Sequence, residues 1–301
     1  MITINTVFVL GAGASQPFAF PLGSELKKRV LDNYRNEQGN AVHLYNTTSF
    51  TNAQVGQFIE GLGFSGLSSV DAFLERRPTF LDIGKATMGI ELLTCEHASN
   101  LWQDGNNWLT YLYNNLVGNS LDEFTDNRVA FITFNYDRTV EHFFHTSLLH
   151  TFGESVEETA GVFDKIPIIH LHGRLGVLPW QATQNVVPYG TTNLDIRTME
   201  ALLREIKVVH EDITDVRDKE FTRAKELLAG AANVYLIGFG FGTRNVERLG
   251  LANVQAPGFA GTAYGMTNKE VLQCQQLCGG RVNLIQSYPA LEFLRNSVAL
   301  N

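Results

Sequence analysis

Six short apolar runs recur along the chain with helical patterns between them, and few folds accommodate this alternation. Several runs are continuously apolar, as expected of strands that helices cover on both sheet faces. A repeated strand, helix, strand order favours parallel pairing. The sequence therefore predicts an α/β protein with a Rossmann-like, doubly wound, mostly parallel six-stranded sheet. The predicted strands are TVFVL (6–10), VAFITF (129–134), IPIIHL (166–171), NVYLIGF (233–239), TAYGMT (262–267) and VNLIQ (282–286).

Two segments interrupt the alternation within what is interpreted as a single domain spanning 1–301. Residues from about 35 to 120 contain stretches of helical period, such as NWLTYLYNNLV, and no convincing strand. They are interpreted as a helical module inserted after the first strand and helix. The module either covers the nucleotide cleft or mediates subunit contacts that open it, or its apolar residues simply pack into the core, and the pattern leaves these alternatives open. A second insertion, about 174–215, is polar and irregular and is interpreted as a lid.

Charge and composition argue against several classes of function. The formal net charge is −8, and no long block of Lys or Arg occurs. Surfaces that bind nucleic acid are normally basic, so direct nucleic-acid binding is not expected. The first residues, MITINTVFVL, lack the basic start of a signal peptide and are interpreted as the first strand. No apolar run reaches the roughly 20 residues of a membrane span, so no membrane association is expected.

The three cysteines are Cys95, Cys274 and Cys278. They are too few for a disulfide framework and fit a reducing, cytoplasmic location. Cys274 and Cys278 are four residues apart and would share a helix face, as half of a metal site would. No second Cys or His pair lies near them in the sequence. They are therefore interpreted as buried thiols, and no metal is expected.

A glycine-rich turn follows the first predicted strand. The stretch GAGAS contains Gly11, Ala12, Gly13 and Ser15. Glycine permits positive φ and close approach of a backbone to a ligand, and amides near a helix N-terminus suit a diphosphate. The third glycine of the dinucleotide fingerprint is replaced by Gln16, so a plain tight turn is an equal alternative for this motif alone.

A second glycine-rich turn, LIGFGFGTRN (236–245), repeats this device after a later strand, with Gly238 and Gly240. Ligands of open α/β sheets bind at the carboxyl ends of the strands. Two such turns at strand ends therefore favour a nucleotide site over two coincidental turns.

Polar side chains stand at two further strand ends. TFNYD places Asn135 and Asp137 after the second strand, and HLHG places His172 at the tip of the third. We expect these groups to face one crevice together with the glycine turns. An imidazole with a pKa of about 6.5 acts as a base near neutral pH, which makes His172 the catalytic candidate.

Each of these residues has a structural alternative. Asn135 is placed to cap the following helix, and Asp137 is placed to favour its first turn through the helix dipole. His170 is two residues from His172 and is expected on the same strand face. It is interpreted as a packed, hydrogen-bonded structural histidine.

Four motifs occur in a fixed order: GAGAS at 11–15, TFNYD at 133–137, HLHG at 170–173 and GFGFG at 238–242. In this combination they resemble the motifs of the sirtuin superfamily. The resemblance implies an NAD site in which Asn135, Asp137 and His172 are catalytic. It also implies nucleotide contacts from both glycine turns, made by Gly11, Ala12, Gly13, Ser15, Gly238 and Gly240.

The chain departs from the zinc-containing protein deacylases of that superfamily. Those enzymes carry two Cys-x-x-Cys pairs before the later glycine turn, whereas residues 173–237 contain no cysteine. A tetrahedral zinc needs about four ligands, so that zinc module is absent. The arginine that usually follows the first loop is also missing from QPFAFPLGSEL.

The remaining pattern resembles the bacterial sirtuin-like NAD hydrolases of antiphage defence. This resemblance implies hydrolysis of NAD to nicotinamide and ADP-ribose, with NAD as substrate and no metal. It also implies that the activity is restrained, either in a homo-oligomer or by a separate regulatory or sensor protein.

Two other functions stay open at this point. A zinc-free NAD-dependent protein deacylase would need a groove for an acyl-lysine peptide, and no sequence feature supplies one. A non-catalytic module that binds NAD or ADP-ribose would not need the Asn, Asp and His set. A dehydrogenase is least favoured, because the dinucleotide fingerprint is incomplete.

Overall fold

One six-stranded sheet lies at the centre of the computed structural model, which describes residues 1–35, 39–103, 105–208 and 215–300, with the backbone alone for 215–218. The strands occur in the order β3-β2-β1-β4-β5-β6, and all neighbours pair in parallel. This is the strand order of dinucleotide-binding folds. The predicted fold class is therefore confirmed. The strands are β1 (Thr6–Leu10), β2 (Val129–Thr133), β3 (Ile168–His170), β4 (Asn233–Ile237), β5 (Gly258–Thr262) and β6 (Asn283–Ile285).

All elements described between β1 and β2 are helical. The segment predicted as a helical insertion, about 35–120, includes residues 36–38 and 104, which lie outside the described residues. The helices before β2 are α1 (Ala12–Ser15), α2 (Gly23–Arg35), α3 (Ala41–Thr47), α4 (Asn52–Phe64), α5 (Val70–Leu74), α6 (Leu81–Leu93), α7 (Ala98–Trp102), α8 (Trp108–Leu116) and α9 (Leu121–Thr125).

Helices also connect the later strands. Within the described ranges, no helix combines the length and the hydropathy that a membrane span requires. The later helices are α10 (Thr139–Phe152), α11 (Val156–Gly161), α12 (Ile196–Glu205), α13 (Asp215–Ala229), α14 (Thr243–Leu249), α15 (Asn268–Leu277) and α16 (Ala290–Ser297).

The continuous apolar runs are strands covered on both faces. All five residues of β1 are buried, and so are all five of β2. Side chains alternate across a strand, so Phe8 joins one apolar cluster while Val7 and Val9 join the other. Phe8 stacks on Phe131 of the neighbouring strand, with ring centroids 5.5 Å apart. The sheet therefore separates two apolar cores.

The fifth strand was predicted in the wrong place. TAYGMT (262–267) overlaps β5 at Thr262 alone, and the strand itself has the sequence GFAGT. A Cβ atom on Gly261 would lie 2.8 Å from the Leu236 Cβ of the adjacent strand, so glycine is needed there. The glycines remove the apolar signal from the true strand. The residues after Thr262 form a turn in which Gly265 has a φ of +79°.

Helix α8 belongs to the core. The apolar residues of NWLTYLYNNLV were open to two interpretations, and the structure places them inside. The Trp108 indole Nε1 donates to the carbonyl oxygen of Ala14 at 2.7 Å, which ties α8 to the first glycine turn. The buried residues of this helix are Trp108, Leu109, Leu112, Tyr113 and Leu116.

The segment interpreted as a lid, about 174–215, includes residues 209–214, which lie outside the described residues. Its described part contains α12, whose apolar face packs on α6. Leu202 and Ile206 are fully buried. A Cβ atom on Gly89 of α6 would lie 3.1 Å from both side chains. The Lys85 Nζ of α6 also donates to the carbonyl oxygen of Leu203 at 3.3 Å.

We expect Gly238→Ala to lower the free energy of unfolding by about 2–4 kcal/mol, because it adds left-handed strain to overpacking. Gly238 has a φ of +58°, and a Cβ there would lie 2.0 Å from the Ala14 nitrogen. Gly240→Ala is the matched control, since no atom lies within 4 Å of its added Cβ. That variant should change stability by less than about 0.5 kcal/mol. Equal denaturation midpoints for the two variants would contradict the expectation.

Candidate functional site

A cavity of about 520 Å³ lies at the carboxyl ends of the central strands. Because β1 pairs with both β2 and β4, the cavity lies where the strand order reverses, which is where open α/β sheets bind ligands. Its volume is within the range of small-molecule sites. The lining residues after the strands are Gly11, Ala12, Ser15, Phe134, Asn135, Tyr136, Asp137, His172, Phe239, Gly240, Gly242 and Asn245. The lining residues from the helical stretch between β1 and β2 are Phe20, Pro21, Gly23, Ser24, Leu26, Ser68, Ser69, Asp71 and Leu92.

The two glycine turns contact each other directly. The Gly11 amide donates to the Ile237 carbonyl and the Gly13 amide to the Gly238 carbonyl, both at 3.0 Å. A Cβ atom on Gly11 would lie 2.6 Å from the Gly238 carbonyl oxygen. The small residues are thus needed for backbone packing between adjacent strand ends.

This contact changes the roles predicted for the glycines. The amides of Gly11 and Gly13 donate within the fold, so the expectation that they cradle a diphosphate does not fit the geometry. The reason is that parallel pairing of β1 with β4 brings both turns to one place. Of the predicted nucleotide-binding residues, Gly11, Ala12, Ser15 and Gly240 line the cavity.

Asn135, Ser15 and Asp137 form one hydrogen-bonded row. The Asn135 Nδ2 donates to the Gly11 carbonyl at 2.9 Å and to the Ser15 Oγ at 3.0 Å. The Ser15 hydroxyl donates in turn to the Asp137 Oδ2 at 2.7 Å. The amide, hydroxyl and carboxyl groups predicted from two distant motifs therefore meet at the cavity wall.

Asp137 also contributes to helix formation. Its Oδ1 accepts the amide hydrogen of Thr139, the first residue of α10, at 3.2 Å. Burial raises the pKa of Asp137, and the hydrogen bonds from Thr139 and Ser15 offset part of that rise. The Asp137 carboxyl therefore both bonds to the first turn of α10 and lines the cavity.

His172 lies between aromatic rings at the end of β3. Its side chain is 5% exposed, and its ring centroid lies 5.4 Å from that of Phe134 and 6.3 Å from that of Phe221. The Nε2 atom is 3.4 Å from the Asn245 Oδ1 on α14. The aromatic rings and the amide fix the orientation of the imidazole at the cavity.

His170 faces a different neighbour from His172. Strand β3 ends at His170, so the shared strand face expected for the two histidines is not formed. The His170 Nε2 lies 2.6 Å from the Glu141 Oε1, and its Nδ1 lies 3.1 Å from the Asn135 carbonyl oxygen. This histidine is packed and hydrogen-bonded, as expected, and it supports the backbone of Asn135.

Asp71 and Asn245 are among the polar side chains of the site that were not predicted. Asp71 on α5 lines the cavity, and its Oδ1 accepts the hydroxyl hydrogen of Tyr136 at 2.6 Å. Burial raises the pKa of Asp71, against the effect of this hydrogen bond. Asn245 lies in the first turn of α14 beside His172. No strand precedes Asp71, and Asn245 is the last residue of the second glycine-rich stretch, eight positions after the end of β4, so neither carried a strand-end signal.

A buried ion pair holds the residue next to Asp137. Arg138 and Glu96 are both fully buried, and the Arg138 Nε donates to the Glu96 Oε1 at 3.0 Å. The same guanidinium donates through Nη1 to the Val187 carbonyl and through Nη2 to the Glu96 Oε2. The helical segment, the start of α10 and residues near 187 therefore meet at one charge pair.

Metal-binding groups are not gathered around the cavity. Across the described ranges, no group of three His, Cys, Asp or Glu side chains is arranged to hold a metal ion. Cys278 is buried, and burial together with Cys274 raises its pKa to about 12. Cys95 and Cys278 are buried thiols, while Cys274 is half-buried.

We expect the stability contributed by Glu141 to disappear in acid. Burial alone would raise the pKa of Glu141, but His170 holds it below its usual value. This contribution is full above the unfolded carboxyl pKa of about 4.3 and is lost as the pH falls through the lower folded value. The difference in unfolding free energy between wild type and Glu141→Gln should shrink between about pH 5 and pH 3. Denaturant titrations at each pH measure it, with exposed Glu157→Gln as control, and a difference that grows in acid would contradict the prediction.

No protein-family model matches the chain, and no curated protein matches it. The assignment of a function therefore depends on the geometry of the cavity and on the motifs of the sequence.

Proposed function

We propose that this protein is an NAD hydrolase that cleaves the bond between nicotinamide and ribose, releasing nicotinamide and ADP-ribose. The observation that carries the proposal is the convergence of the Asn135, Ser15 and Asp137 row with His172 on one cavity at the switch point of the sheet. Asn135, Asp137 and His172 are the three catalytic groups that the resemblance to sirtuin-like NAD hydrolases implies.

The reaction defines what the site must supply. Cleavage of an N-glycosidic bond passes through an oxocarbenium-like state, by analogy with glycoside hydrolysis. The nicotinamide leaving group is already cationic in NAD and leaves without a proton. The enzyme therefore has to orient the ribose, stabilise the developing ribosyl cation and activate a water molecule.

Asn135 is the proposed orienting group. Its Nδ2 already donates to Gly11 and Ser15. The side-chain oxygen, Oδ1, is therefore the atom proposed to accept a hydrogen bond from a ribose hydroxyl or from the attacking water. The bond from His170 to the Asn135 backbone holds this residue at the strand end. A rigidly held amide suits a positioning role.

His172 is the proposed general base, and Asp137 the proposed electrostatic group. A histidine base contributes typically about 10²–10⁴-fold to a rate. Asn245 lies beside the His172 Nε2 and orients the ring. In its ionised form Asp137 adds negative potential where the ribosyl cation develops. Of the remaining nucleotide contacts expected from the sequence, Ala12, Ser15 and Gly240 line the cavity and are the proposed ones.

The biological setting is part of the same proposal. The sirtuin-like enzymes that the motifs resemble deplete NAD upon phage infection, so we propose an antiphage role in the cytoplasm. Such an activity has to be restrained, and we propose control through a homo-oligomer or through a separate regulatory protein.

We expect His172→Ala and Asn135→Ala each to slow NAD cleavage by about 10²-fold or more, because each removes a proposed reacting or orienting group. The rate is measured by using chromatography to monitor the release of nicotinamide from NAD. Exposed His150→Ala and Asn296→Ala are the matched controls and should cleave at the wild-type rate. Near wild-type cleavage by either site variant would remove its assigned role.

His170→Ala tests whether His170 has a structural role that is distinct from the proposed catalytic role of His172. It leaves the buried Glu141 carboxylate without its partner, which typically costs about 3–5 kcal/mol. We therefore expect a lower melting temperature and a smaller loss of specific activity than in His172→Ala. The opposite order would assign the catalytic role to His170.

The same assay separates the alternative functions. Nicotinamide release that requires an acyl-lysine peptide would identify a zinc-free deacylase. NAD or ADP-ribose binding without any release would identify a non-catalytic module. Release in the absence of peptide supports the hydrolase.

We expect no stoichiometric zinc in the purified protein, because the sequence lacks the cysteine pairs of the deacylase module. Elemental analysis measures the zinc content, and a chelator should leave NAD cleavage unchanged. About one zinc per chain, or activity lost to the chelator, would overturn the zinc-free assignment.

A further inference from the structure

Asp71 reaches the cavity from the helical segment, outside the motifs at the strand ends. It lies in the first turn of α5, is half-buried and lines the cavity. The Tyr136 hydroxyl donates to its Oδ1 at 2.6 Å. Tyr136 is the residue between Asn135 and Asp137, so the Asp71 carboxyl is held against the same strand end as the proposed catalytic groups.

A chain of contacts connects Asp71 to the residue that carries the proposed base. The Tyr136 hydroxyl that contacts Asp71 also lies 3.4 Å from the Lys207 carbonyl oxygen. The Lys207 amide donates to the His172 carbonyl at 2.9 Å. Asp71 is therefore linked through Tyr136 and Lys207 to the backbone of His172.

Two carboxyl side chains line the cavity wall. Asp71 and Asp137 both line it, and none of the described lining residues is Lys or Arg. Both oxygens of Asp137 accept hydrogen bonds from within the fold, from Ser15 and Thr139. A wall with carboxyl groups and no cationic side chain favours a positively charged ligand group.

We propose that Asp71 recognises the positively charged nicotinamide ring of NAD and makes the site selective for oxidised over reduced nucleotide. This inference rests on the proposed NAD hydrolase function and names a specificity-determining residue for it. The ring carries its positive charge in the oxidised form only. Reduced NADH presents a neutral ring, and ADP-ribose presents none, so neither gains from the carboxylate.

The test measures binding in a His172→Ala background, so that NAD survives the titration. Asp71→Asn keeps the size of the side chain and an oxygen that can accept the Tyr136 hydroxyl hydrogen, but removes the charge. We expect it to weaken NAD binding about tenfold, the effect of one partly screened charge pair. Affinities for NADH and ADP-ribose should change less than about twofold, since neither has the cationic ring. Isothermal titration calorimetry with the three nucleotides measures these affinities.

Asp82→Asn is the matched control, because Asp82 is also an acidic residue in the first turn of a neighbouring helix, α6, and is exposed. It should leave all three affinities unchanged. Equal weakening of NAD and NADH by Asp71→Asn would show a merely structural role and overturn the inference, as would no change in either.

A second measurement does not depend on the folding of the Asp71 variant. The His172→Ala protein itself should bind NAD more tightly than NADH, and equal affinities would overturn the inference. Binding of neither NAD nor ADP-ribose would overturn the proposed function as well. Wild-type cleavage of NAD combined with equal NAD and NADH affinities would leave the hydrolase in place and remove this inference alone.

Discussion

The buried ion pair between Arg138 and Glu96 is the interaction on which the rest of the site depends. Arg138 immediately follows Asp137, and its guanidinium contacts Glu96 and the carbonyl oxygens of Val187 and Pro188. Desolvating two charges is costly, and the cost is offset when geometry and hydrogen bonds are complete. Loss of one partner would leave a buried charge. The pair thus fixes where three separate segments meet around the end of β2.

The pairing of neighbouring strands brings the residues of the site together. Ser15 and Asn135 are 120 positions apart, and His172 and Asn245 are 73 apart, yet each pair is in contact. Parallel pairing of β1 with β2 and with β4 brings these strand ends together. The helical stretch between β1 and β2 adds further lining residues from α2, α5 and α6. The strand ends supply the Asn, Asp and His groups, while the helices supply other lining residues, among them Asp71.

The sequence allowed the fold class and the strand-end positions to be predicted, because both follow from apolar runs and the groups that terminate them. It misplaced β5, because Gly258 and Gly261 leave that strand without a continuous apolar run. It did not single out Asp71, because a carboxylate in the first turn of a helix is ordinary and only the tertiary fold brings Tyr136 to it. The hydrogen bonds that the Gly11 and Gly13 amides donate were also not predicted, since their acceptors lie more than 220 positions away in the sequence.

The contact between the two glycine turns makes them one structural unit. A Cβ atom on Gly13 would lie 2.8 Å from the Gly238 Cα, and one on Gly238 would lie 2.2 Å from the Gly13 carbonyl carbon. Neither Gly13 nor Gly238 has space for a side chain unless the other turn moves away. Substitutions at Gly13 and Gly238 should therefore be coupled during evolution, although the two residues are far apart in the sequence. A loop grafted from another protein into one turn would have to bring its partner with it.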